Sequence, residues 1–439
     1  MALITKAIKG TSDILPKDSY KINFLEDIIE KEVALYGFKE IRTPVFEHTE
    51  LFLRSVGETT DVVQKEMYTF NDKGGRSITL RPEGTAGAVR AMVEHSAYND
   101  GLPLKAYYFT SCYRYEKPQA GRYREFHQFG LEVFGAANPV ADAELISVAD
   151  AIFERIGLKN ISLQINSIGC PECRKKYNQA IKEYFESRKS ELCDTCIGRL
   201  ERNPMRILDC KNPDCKKISD SAPIILDYLC DECREHFEKV KAYLDTINIK
   251  YTVNPKMVRG LDYYTRTVFE FVSDDIGAQG SVCGGGRYDG LVKEIGGPDM
   301  PSLGFGIGME RLMLLVENQK VDIPTPETCD LYIAPIGKKA ELKAFELLRE
   351  IRQTGLICET DLVGKSIKAQ MKYANKIGAK FSVVIGDEEI EKGFALVKDM
   401  DSSETSEISL GENFSAEFFA LHIEKTLGSR NLNKVFNID

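Results

Sequence analysis

The chain has 439 residues, of which 43% are hydrophobic and 28% are charged, and its formal net charge is −9. This length exceeds that of a typical domain with a single hydrophobic core, so two or three globular domains are predicted. The net charge argues against a uniformly basic nucleic-acid binder, although it leaves room for a local basic surface. The sequence contains neither a run of about 18 apolar residues nor a signal-peptide pattern, which predicts a cytoplasmic protein with no membrane segment.

The first part of the chain has the pattern of an antiparallel α+β domain. An amphipathic helix is predicted over 18–36, followed by an extended segment that Pro44 interrupts. A hairpin with a glycine-containing turn is predicted over 67–81. Two longer strands, 105–116 and 125–135, follow across a loop, which favours antiparallel pairing over a parallel βαβ array.

Changes of pattern divide the chain further. Residues 166–245 are helical in pattern, highly charged and rich in paired cysteines, so they are interpreted as an insertion into a first domain over 1–325. A proline-containing linker ends at 326–330, and alternating strands and helices predict a small α/β domain over 331–427. Residues 428–439 remain as a tail.

Polar residues recur along the two longer strands. Because alternate residues of a strand share a face, one face of the sheet is predicted to carry them. These residues are Arg114, Glu116, Gln128 and Glu132, and the apolar Phe126 lies among them on the same face. A solvated sheet face would show the same alternation. The connecting loop adds Lys117, Arg122 and Arg124, a concentration of cations suited to a polyphosphate.

Two short glycine-containing motifs offer further ligand contacts. In "LRPEGT", residues 80–85, Thr85 is predicted to cap a helix, while Glu83 at the same turn suits an ammonium group. In "GFGIGMERLMLL", the G-x-G-x-x-G pattern of dinucleotide sites fails because residue 309 is Met. Arg311 in the first turn of the following helix suits a phosphate, and close strand–helix packing is the alternative explanation for the glycines.

The segment "RGLDYYTRTVFEF", residues 259–271, has two interpretations. It is either a turn that leads into a strand, or a pocket wall in which Arg259, Tyr263 and Tyr264 meet a small, aromatic, charged ligand. The motifs elsewhere in the chain decide between these two interpretations.

Eight of the twelve cysteines fall between Cys170 and Cys233. They form four closely spaced pairs: Cys170 with Cys173, Cys193 with Cys196, Cys210 with Cys215, and Cys230 with Cys233. This spacing is typical of structural zinc ligands, and eight thiols would fill two four-ligand sites. Reduced cysteines that pack in a core are the alternative.

Taken together, these motifs resemble a known family. The segment that ends at Pro44, the strand–loop–strand with Arg114 and Glu116, and the glycine-rich strand before Arg311 resemble the three signature motifs of class II aminoacyl-tRNA synthetases. Within that class, "LRPEGT", "GRYREFHQFGLEVFG", "RGLDYYTRTVFEF" and "GGGRYDGL" resemble the histidyl-tRNA synthetases, and the similarity extends over essentially the whole chain. The resemblance implies an α+β fold: an antiparallel-sheet catalytic domain with a helical insertion, and a C-terminal α/β anticodon-binding domain.

The resemblance also implies roles for individual residues. Arg114 and Arg259 are expected at the reacting groups, as the catalytic residues. The histidine-binding residues would be Glu83, Gly84, Thr85, Arg114, Gln128, Glu132, Arg259, Tyr263 and Tyr264. The ATP-binding residues would be Arg114, Glu116, Arg122, Phe126 and Arg311. Mg²⁺ would accompany ATP.

Finally, the resemblance implies a ligase that acts as a homodimer on L-histidine, ATP and tRNA(His). A row of lysines in the C-terminal domain suits RNA phosphates, although a solvated helix face is its usual explanation: Lys365, Lys368, Lys372, Lys376 and Lys380. The family does not in general depend on zinc, so no protein-bound metal site is assigned. Two alternatives are a noncatalytic regulatory subunit of histidine biosynthesis and an RNA-binding or zinc module. The "RGLDYY" segment and the predicted anticodon-binding domain argue against the first, and the set of Arg114, Arg122, Arg259 and Arg311 argues against the second.

Overall fold

The computed structural model describes residues 5–57, 60, 62–326 and 328–427. The chain divides into two compact units, Met1–Pro324 and Thr325–Asp439. The predicted tail, 428–439, and residue 327 of the predicted linker lie outside the described residues. Among the helices described, none combines the length and the apolar character needed to cross a lipid bilayer.

An eight-stranded sheet forms the centre of the first unit. The strands of this unit are β1 (Lys39–Glu40), β2 (Phe46–His48), β3 (Tyr68–Asn71), β4 (Ser77–Leu80), β5 (Leu104–Tyr113), β6 (Glu125–Phe134), β7 (Ser162–Ser167), β8 (Tyr251–Val253), β9 (Thr265–Val272), β10 (Ser281–Arg287) and β11 (Ser302–Gly308). The large sheet has the order β1-β5-β6-β11-β10-β9-β7-β8, and β2, β4 and β3 form a separate sheet. Pairing is antiparallel from β5 through to β7 and parallel in the two edge pairs. The predicted antiparallel α+β architecture is confirmed.

Helices cover one face of the large sheet. The helices of this unit are α1 (Ser19–Leu35), α2 (Thr49–Val56), α3 (Thr85–Glu94), α4 (Pro139–Ile156), α5 (Pro171–Glu186), α6 (Asp194–Arg202), α7 (Pro213–Ser219), α8 (Asp231–Thr246), α9 (Leu291–Glu294) and α10 (Met309–Asn318). Leu25 and Ile29 of α1 share a core with Phe129 and Leu131 of β6, and α4 and α10 contribute to the same core. Because side chains alternate along a strand, Gln128 points to the opposite face. The polar side chains on that face are therefore candidates for a ligand-binding site.

Strand β5 is shorter than predicted. It ends at Tyr113, so Arg114 and Glu116 lie in the loop that follows. The N–H of Arg114 still donates to the carbonyl of Arg124 at 2.9 Å, whereas the N–H of Glu116 turns back to the carbonyl of Arg114 at 2.7 Å. The predicted alternation therefore stops at Arg114, and a turn places Glu116.

Four helices, α5 to α8, lie between β7 and β8. Their buried side chains, such as Tyr177, Ile181 and Phe185, belong to a second hydrophobic cluster. The same cluster contains Tyr263 and Tyr264, so these helices pack against the segment that precedes β9.

The second unit has a five-stranded sheet. Its strands are β12 (Leu331–Pro335), β13 (Cys358–Thr360), β14 (Phe381–Ile385), β15 (Phe394–Asp399) and β16 (Thr405–Ser409), in the order β13-β12-β14-β15-β16. Its helices are α11 (Lys338–Gln353), α12 (Ile367–Lys376), α13 (Asp387–Lys392) and α14 (Phe414–Leu427). The first three strands are parallel, as the alternation of strands and helices predicts, while β15 and β16 add an antiparallel hairpin that was not predicted.

The predicted lysine row is only partly on one helix. Three of its members lie on α12 and a fourth lies two residues before the helix begins, all four being exposed: Lys365, Lys368, Lys372 and Lys376. Lys380 lies beyond the helix, and its Nζ pairs with Asp330 at 2.8 Å. Lys380 therefore does not belong to the exposed face.

Candidate active site

Two cavities adjoin on the polar face of the large sheet. The inner cavity has a volume of about 190 Å³ and the outer cavity about 200 Å³. The residues that line both are Arg114, Gln128, Arg259, Gly284 and Gly306. Ligands in the two cavities would therefore share the guanidinium groups of Arg114 and Arg259.

The structure brings most of the predicted site residues to these cavities. Besides the shared residues, the inner cavity is lined by Glu83, Thr85, Tyr263 and Tyr264. The outer cavity is lined by Glu116, Arg122, Phe126 and Arg311. Gly84 and Glu132 are not among the lining residues and contact the site from behind its wall.

Glu83 caps helix α3. Its carboxylate accepts hydrogen bonds from the N–H groups of Thr85 at 2.7 Å and Ala86 at 2.8 Å. Thr85 is itself the first helical residue, so its predicted role as the cap is wrong. Burial raises the pKa of Glu83, because the charged form loses its hydration. An ammonium group in the inner cavity would stabilise this carboxylate.

Gly84 fixes the position of Gln128. Its N–H donates to Oε1 of Gln128 at 3.1 Å. A Cβ at Gly84 would lie 2.2 Å from the ring of Tyr108, so the close approach of this ring requires glycine. The amide of Gln128 is thereby held where it lines both cavities.

Glu132 is completely buried behind the inner cavity. Its carboxylate accepts hydrogen bonds from the hydroxyl of Tyr108 at 3.0 Å and from the hydroxyl of Tyr288. Burial raises the pKa of Glu132 to about 8, because the charged form loses its hydration. Tyr288 lines the inner cavity, so its hydroxyl connects the buried Glu132 to that cavity.

Three tyrosine rings form one wall of the inner cavity. The rings of Tyr263 and Tyr264 are 4.6 Å apart, and those of Tyr263 and Tyr288 are 5.5 Å apart in an edge-to-face arrangement. Burial raises the pKa of each hydroxyl group, so all three stay neutral. The wall presents flat apolar surfaces with polar ends, which suits a small polar aromatic ring.

Arg259 lies between the cavities, held by a carboxylate and a ring. Its guanidinium donates to Glu270 and lies 5.6 Å from the centre of the Tyr264 ring. The negative charge of Glu270 keeps the pKa of Arg259 above its usual value despite burial. Arg259 is thus a fixed cation at the junction.

Arg114 is the second cation at the junction. Its Nε donates to the carbonyl of Pro82 at 2.8 Å, and its Cζ lies 5.3 Å from the centre of the Phe126 ring. The carbonyl of Pro82 takes up only the Nε edge of the guanidinium. The fork geometry of arginine leaves the terminal N–H groups able to donate to a ligand.

Two further arginines line the outer cavity. Arg122 Nε lies 3.2 Å from the carboxylate of Glu116. Arg311 donates to the carbonyls of Gly121 and Ser281, each at 3.0 Å. Burial, together with the charge of Arg122, lowers the pKa of Arg311. An anion between the two guanidinium groups would relieve this repulsion.

The glycines of β10 and β11 make room for site side chains. A Cβ at Gly304 would lie 1.8 Å from the Glu132 carboxylate, and one at Gly306 would lie 2.2 Å from Nε2 of Gln128. In the ladder between β11 and β6, Gly304 lies directly opposite Glu132, while Gly306 lies opposite Gly130, two residues along the strand from Gln128. The glycines therefore serve neither a dinucleotide fingerprint nor strand–helix packing alone; they let the polar side chains of β6 lie across the adjacent strand.

Sequence reasoning missed four contributors to the site: Tyr108, Glu270, Tyr288 and Glu310. Glu310 accepts hydrogen bonds from the backbone N–H of His127 at 2.8 Å and pairs with its Nδ1 at 2.8 Å, which ties the start of α10 to β6. Tyr108 could have been found from its alternation with Thr110 on the polar face of β5. The other three lie inside motifs quoted above, in which they were given no role of their own.

Comparison with known proteins identifies the family. A family model described as histidyl-tRNA synthetase matches residues 10–312, and one described as anticodon binding domain matches residues 330–416. The chain belongs to the histidyl-tRNA synthetase family. The resemblance recognised in the sequence is therefore confirmed, and with it the class II assignment of the fold.

Relatives in this family match the chain over nearly its whole length. A histidine–tRNA ligase of Caldanaerobacter subterraneus subsp. tengcongensis is 56% identical over 410 residues, which cover 93% of this chain and 98% of that protein. A histidine–tRNA ligase of Clostridium novyi is 57% identical over 405 residues, covering 92% and 96%. The crystal structure of apo S. aureus histidyl-tRNA synthetase has 42% identity and a TM-score of 0.81, covering 94% of this chain and 100% of that one.

Proposed function

We propose that this protein is a histidine–tRNA ligase, which activates L-histidine with ATP and transfers it to tRNA(His). Its membership of the histidyl-tRNA synthetase family and the full-length match to histidine–tRNA ligases support this activity. The observation that carries the proposal is the pair of adjoining cavities that share Arg114 and Arg259. A carboxylate in one cavity and a phosphate in the other would meet between these two cations.

In this proposal, histidine occupies the inner cavity. Glu83 and Thr85 receive the ammonium group, while Gln128 and Glu132 complete the site from β6. Tyr263 and Tyr264 enclose the imidazole ring. A phenyl or aliphatic side chain would leave the polar groups of this cavity unpaired, so such amino acids would be rejected strongly.

ATP occupies the outer cavity in the same proposal. Arg114 and Arg259 hold the α-phosphate, Arg122 and Arg311 hold the outer phosphates, and Phe126 stacks on adenine. Mg²⁺ enters with ATP as part of the substrate. A carboxylate oxygen such as those of Glu116, on the wall of the outer cavity, is the kind of ligand that Mg²⁺ takes.

Activation then proceeds by direct displacement. A carboxylate oxygen of histidine attacks the α-phosphorus, the bond to the bridging oxygen breaks, and pyrophosphate leaves with that electron pair. The two anions repel each other and charge builds up on the α-phosphoryl oxygens, so prepositioned guanidinium groups lower the barrier. A ribose hydroxyl of tRNA subsequently attacks the histidyl carbonyl and displaces AMP. No side-chain nucleophile takes part.

A third cavity next to Arg259 suits the end of a nucleic acid. It has a volume of about 680 Å³ and lies between helices α5 and α6 and residues 258–262. Its cationic lining residues are Arg174, Lys175, Lys182, Arg202, Arg206 and Arg259. We assign it to the acceptor end of tRNA(His), and the second unit, with its exposed lysines on α12, to the anticodon region.

Homodimer formation is also part of the proposal. Val45, Phe46 and Phe70 expose large apolar side chains on and beside the small sheet, near the segment that resembles the first signature motif. Large exposed apolar groups that cluster in this way mark an interface. Because charging of tRNA takes place where translation does, the proposal locates the protein in the cytoplasm.

The decisive experiment is ATP–pyrophosphate exchange measured with each of the twenty amino acids. We expect exchange with L-histidine and background rates with phenylalanine and glutamine, because neither matches the polar groups of the inner cavity. Exchange with another amino acid alone would overturn the specificity. Exchange with none would contradict the catalytic function and favour a regulatory role.

A further inference from the structure

The eight clustered cysteines converge in space as two groups of four. Cluster A consists of Cys170, Cys173, Cys230 and Cys233, and cluster B of Cys193, Cys196, Cys210 and Cys215. Within each cluster all four Sγ atoms lie within 4.8 Å of one another. Each cluster joins two pairs that are separated in the sequence, and cluster A brings together the N-terminal ends of α5 and α8.

The distances within the clusters fit a bound tetrahedral metal. With Zn–S bonds of about 2.3 Å, the sulfur atoms of a tetrahedral site are about 3.8 Å apart. The Sγ atoms of Cys170 and Cys173 are 3.5 Å apart, and those of Cys193 and Cys210 are 3.8 Å apart. All eight are free thiols, not disulfides.

The local backbone supports the same conclusion. In each of the three Cys-x-x-Cys pairs, the first cysteine is the N-cap of a helix: Cys170, Cys193 and Cys230. Backbone N–H groups point at the sulfurs, from Cys230 to Cys173 Sγ at 3.1 Å and from Cys193 to Cys215 Sγ at 3.3 Å. Helix N-termini and such N–H donors stabilise the thiolate form that ligates metal.

From this geometry we propose that clusters A and B each bind one structural Zn²⁺. Four thiolates in a closed tetrahedral arrangement are the ligand set of a structural rather than a catalytic zinc site. Core packing alone would not require four polarisable sulfurs to converge on one point, twice. The cysteine spacing alone left zinc ligation and core packing as alternatives, and the convergence of the sulfurs in space favours zinc.

Both sites lie close to contacts that hold the wall of the inner cavity. Arg174, one residue after Cys173, donates from Nη1 to the carbonyl of Tyr264 at 3.0 Å. Arg206, which lies between the two halves of cluster B, donates from Nη1 to the carbonyl of Arg259 at 2.8 Å. Zinc would therefore fix the segments from which these arginines hold the loop 259–264, and its removal would weaken histidine binding, a consequence that rests on the proposed function.

Metal analysis of the full-length protein tests the proposal without reference to activity. Protein purified without added zinc and without chelators should contain about two zinc per chain, because such sites bind zinc tightly. Cys230→Ser and Cys193→Ser should each retain about one zinc, and the double variant almost none. Cys358→Ser, which removes a buried free thiol of the second unit, is the matched control and should retain both.

Cobalt provides a second measurement that does not depend on the variants folding. After zinc is removed, titration with Co²⁺ should produce sulfur-to-metal charge-transfer and tetrahedral d–d bands that saturate at two equivalents per chain. Background zinc in the purified protein together with no such bands would overturn the proposal. Two equivalents of bound iron in place of zinc would overturn the identity of the metal.

Discussion

Arg259 is held by three contacts of different kinds. Its guanidinium donates to the carboxylate of Glu270, it lies beside the ring of Tyr264, and its backbone carbonyl accepts a hydrogen bond from Arg206. In the proposed activation step, these contacts would fix the cation before a ligand arrives, so little reorganisation would be needed when charge develops in the transition state. A cation that is already oriented contributes more to catalysis than one that is free to move.

Arg259→His should retain the fold and lose most of the activity. The shorter imidazole cannot place a permanent cation at the junction of the cavities, and loss of one preorganised donor typically costs about 100- to 1,000-fold in rate. Histidine-dependent pyrophosphate exchange measures the loss, and circular dichroism verifies the fold. Arg349→His, at an exposed position of α11, should leave the exchange rate unchanged. An undiminished rate in Arg259→His would remove Arg259 from its proposed role.

Glu132 makes the stability of the ligand-free protein depend on pH. Its pKa is about 8 in the folded chain and 4.5 at its ordinary value. Between these values the unfolded chain loses a proton that the folded chain retains, so the free energy of unfolding falls as the pH rises from about 4.5 to about 8. Above that pH the contribution of Glu132 is constant.

Glu132→Gln should remove this dependence. The variant should gain stability relative to the parent as the pH rises through the same window, on the order of 1.4 kcal/mol for each unit of pKa difference. Urea unfolding of both proteins at pH 5, 7 and 9, followed by circular dichroism, measures the difference. A difference that is the same at all three pH values would contradict the buried, protonated state of Glu132.

The sequence predicted the positions of some site residues better than others. Alternation along β6 placed Gln128 and Glu132 on one face, because a strand's period is a local property. Tyr288 could not be predicted, since its partner Glu132 is 156 residues away and the contact depends on the sheet order. Thr85 was misjudged because cap identity depends on backbone angles, and here Glu83 supplies the capping oxygens.

At the scale of elements, the strands that carry the site were more predictable than their ends. The hairpin of β3 and β4 and the antiparallel pair β5 and β6 follow from period and turn residues. The end of β5 at Tyr113 does not, because the turn back to Arg114 is set by contacts of the loop rather than by residue type. The role of the β11 glycines depends on how β11 is placed beside β6, and the local sequence does not specify that pairing.

Gly306→Ala tests that purpose. The new Cβ would force the end of the Gln128 side chain to move, which costs little stability because a terminal amide can rotate. It would separate Gln128 from its partner Gly84, so the KM for histidine should rise about 10- to 100-fold, as for loss of a hydrogen bond to a charged group. Steady-state exchange kinetics measure the KM.

The matched control is Gly290→Ala, at the start of α9. A Cβ there would have its nearest neighbour at 3.8 Å, an ordinary contact, so both the KM and the melting temperature should match those of the parent. An unchanged KM in Gly306→Ala would show that the position of Gln128 does not matter for histidine. A collapse of the melting temperature would instead contradict the idea that only a flexible side chain has to move.

At the scale of the whole molecule, the site is assembled from distant parts of the chain. The residues that line it extend from Val62 to Arg311, and the order β6-β11-β10-β9 brings the strands that carry much of the site side by side. Local patterns predicted that these segments carry ligand-binding chemistry, but they could not predict their juxtaposition. That step came from the resemblance to a family, because strand order over such separations is not encoded in any short stretch of sequence.

The small sheet of the first unit carries exposed aromatic side chains that a second subunit would bury in the proposed homodimer. Phe46 of β2 and Phe70 of β3 are 57% and 48% exposed, and both border a cavity of about 300 Å³. Each pairs through the backbone with a residue of β4, Leu80 and Ile78 respectively, so the two rings project from one rigid three-stranded platform. Aromatic side chains, phenylalanine among them, are enriched in protein interfaces relative to the rest of the surface.

Phe46→Asp should therefore shift the proposed homodimer towards monomer. Burying a carboxylate in place of the ring removes a contact worth roughly 2 kcal/mol or more, which weakens dimerisation at least about 30-fold. Sedimentation velocity over a concentration series measures the dissociation constant. Phe345→Asp, which changes a 66% exposed phenylalanine of α11 in the second unit, should leave it unchanged. If Phe46→Asp remained as dimeric as its parent at every concentration, the small sheet would not be the interface between subunits.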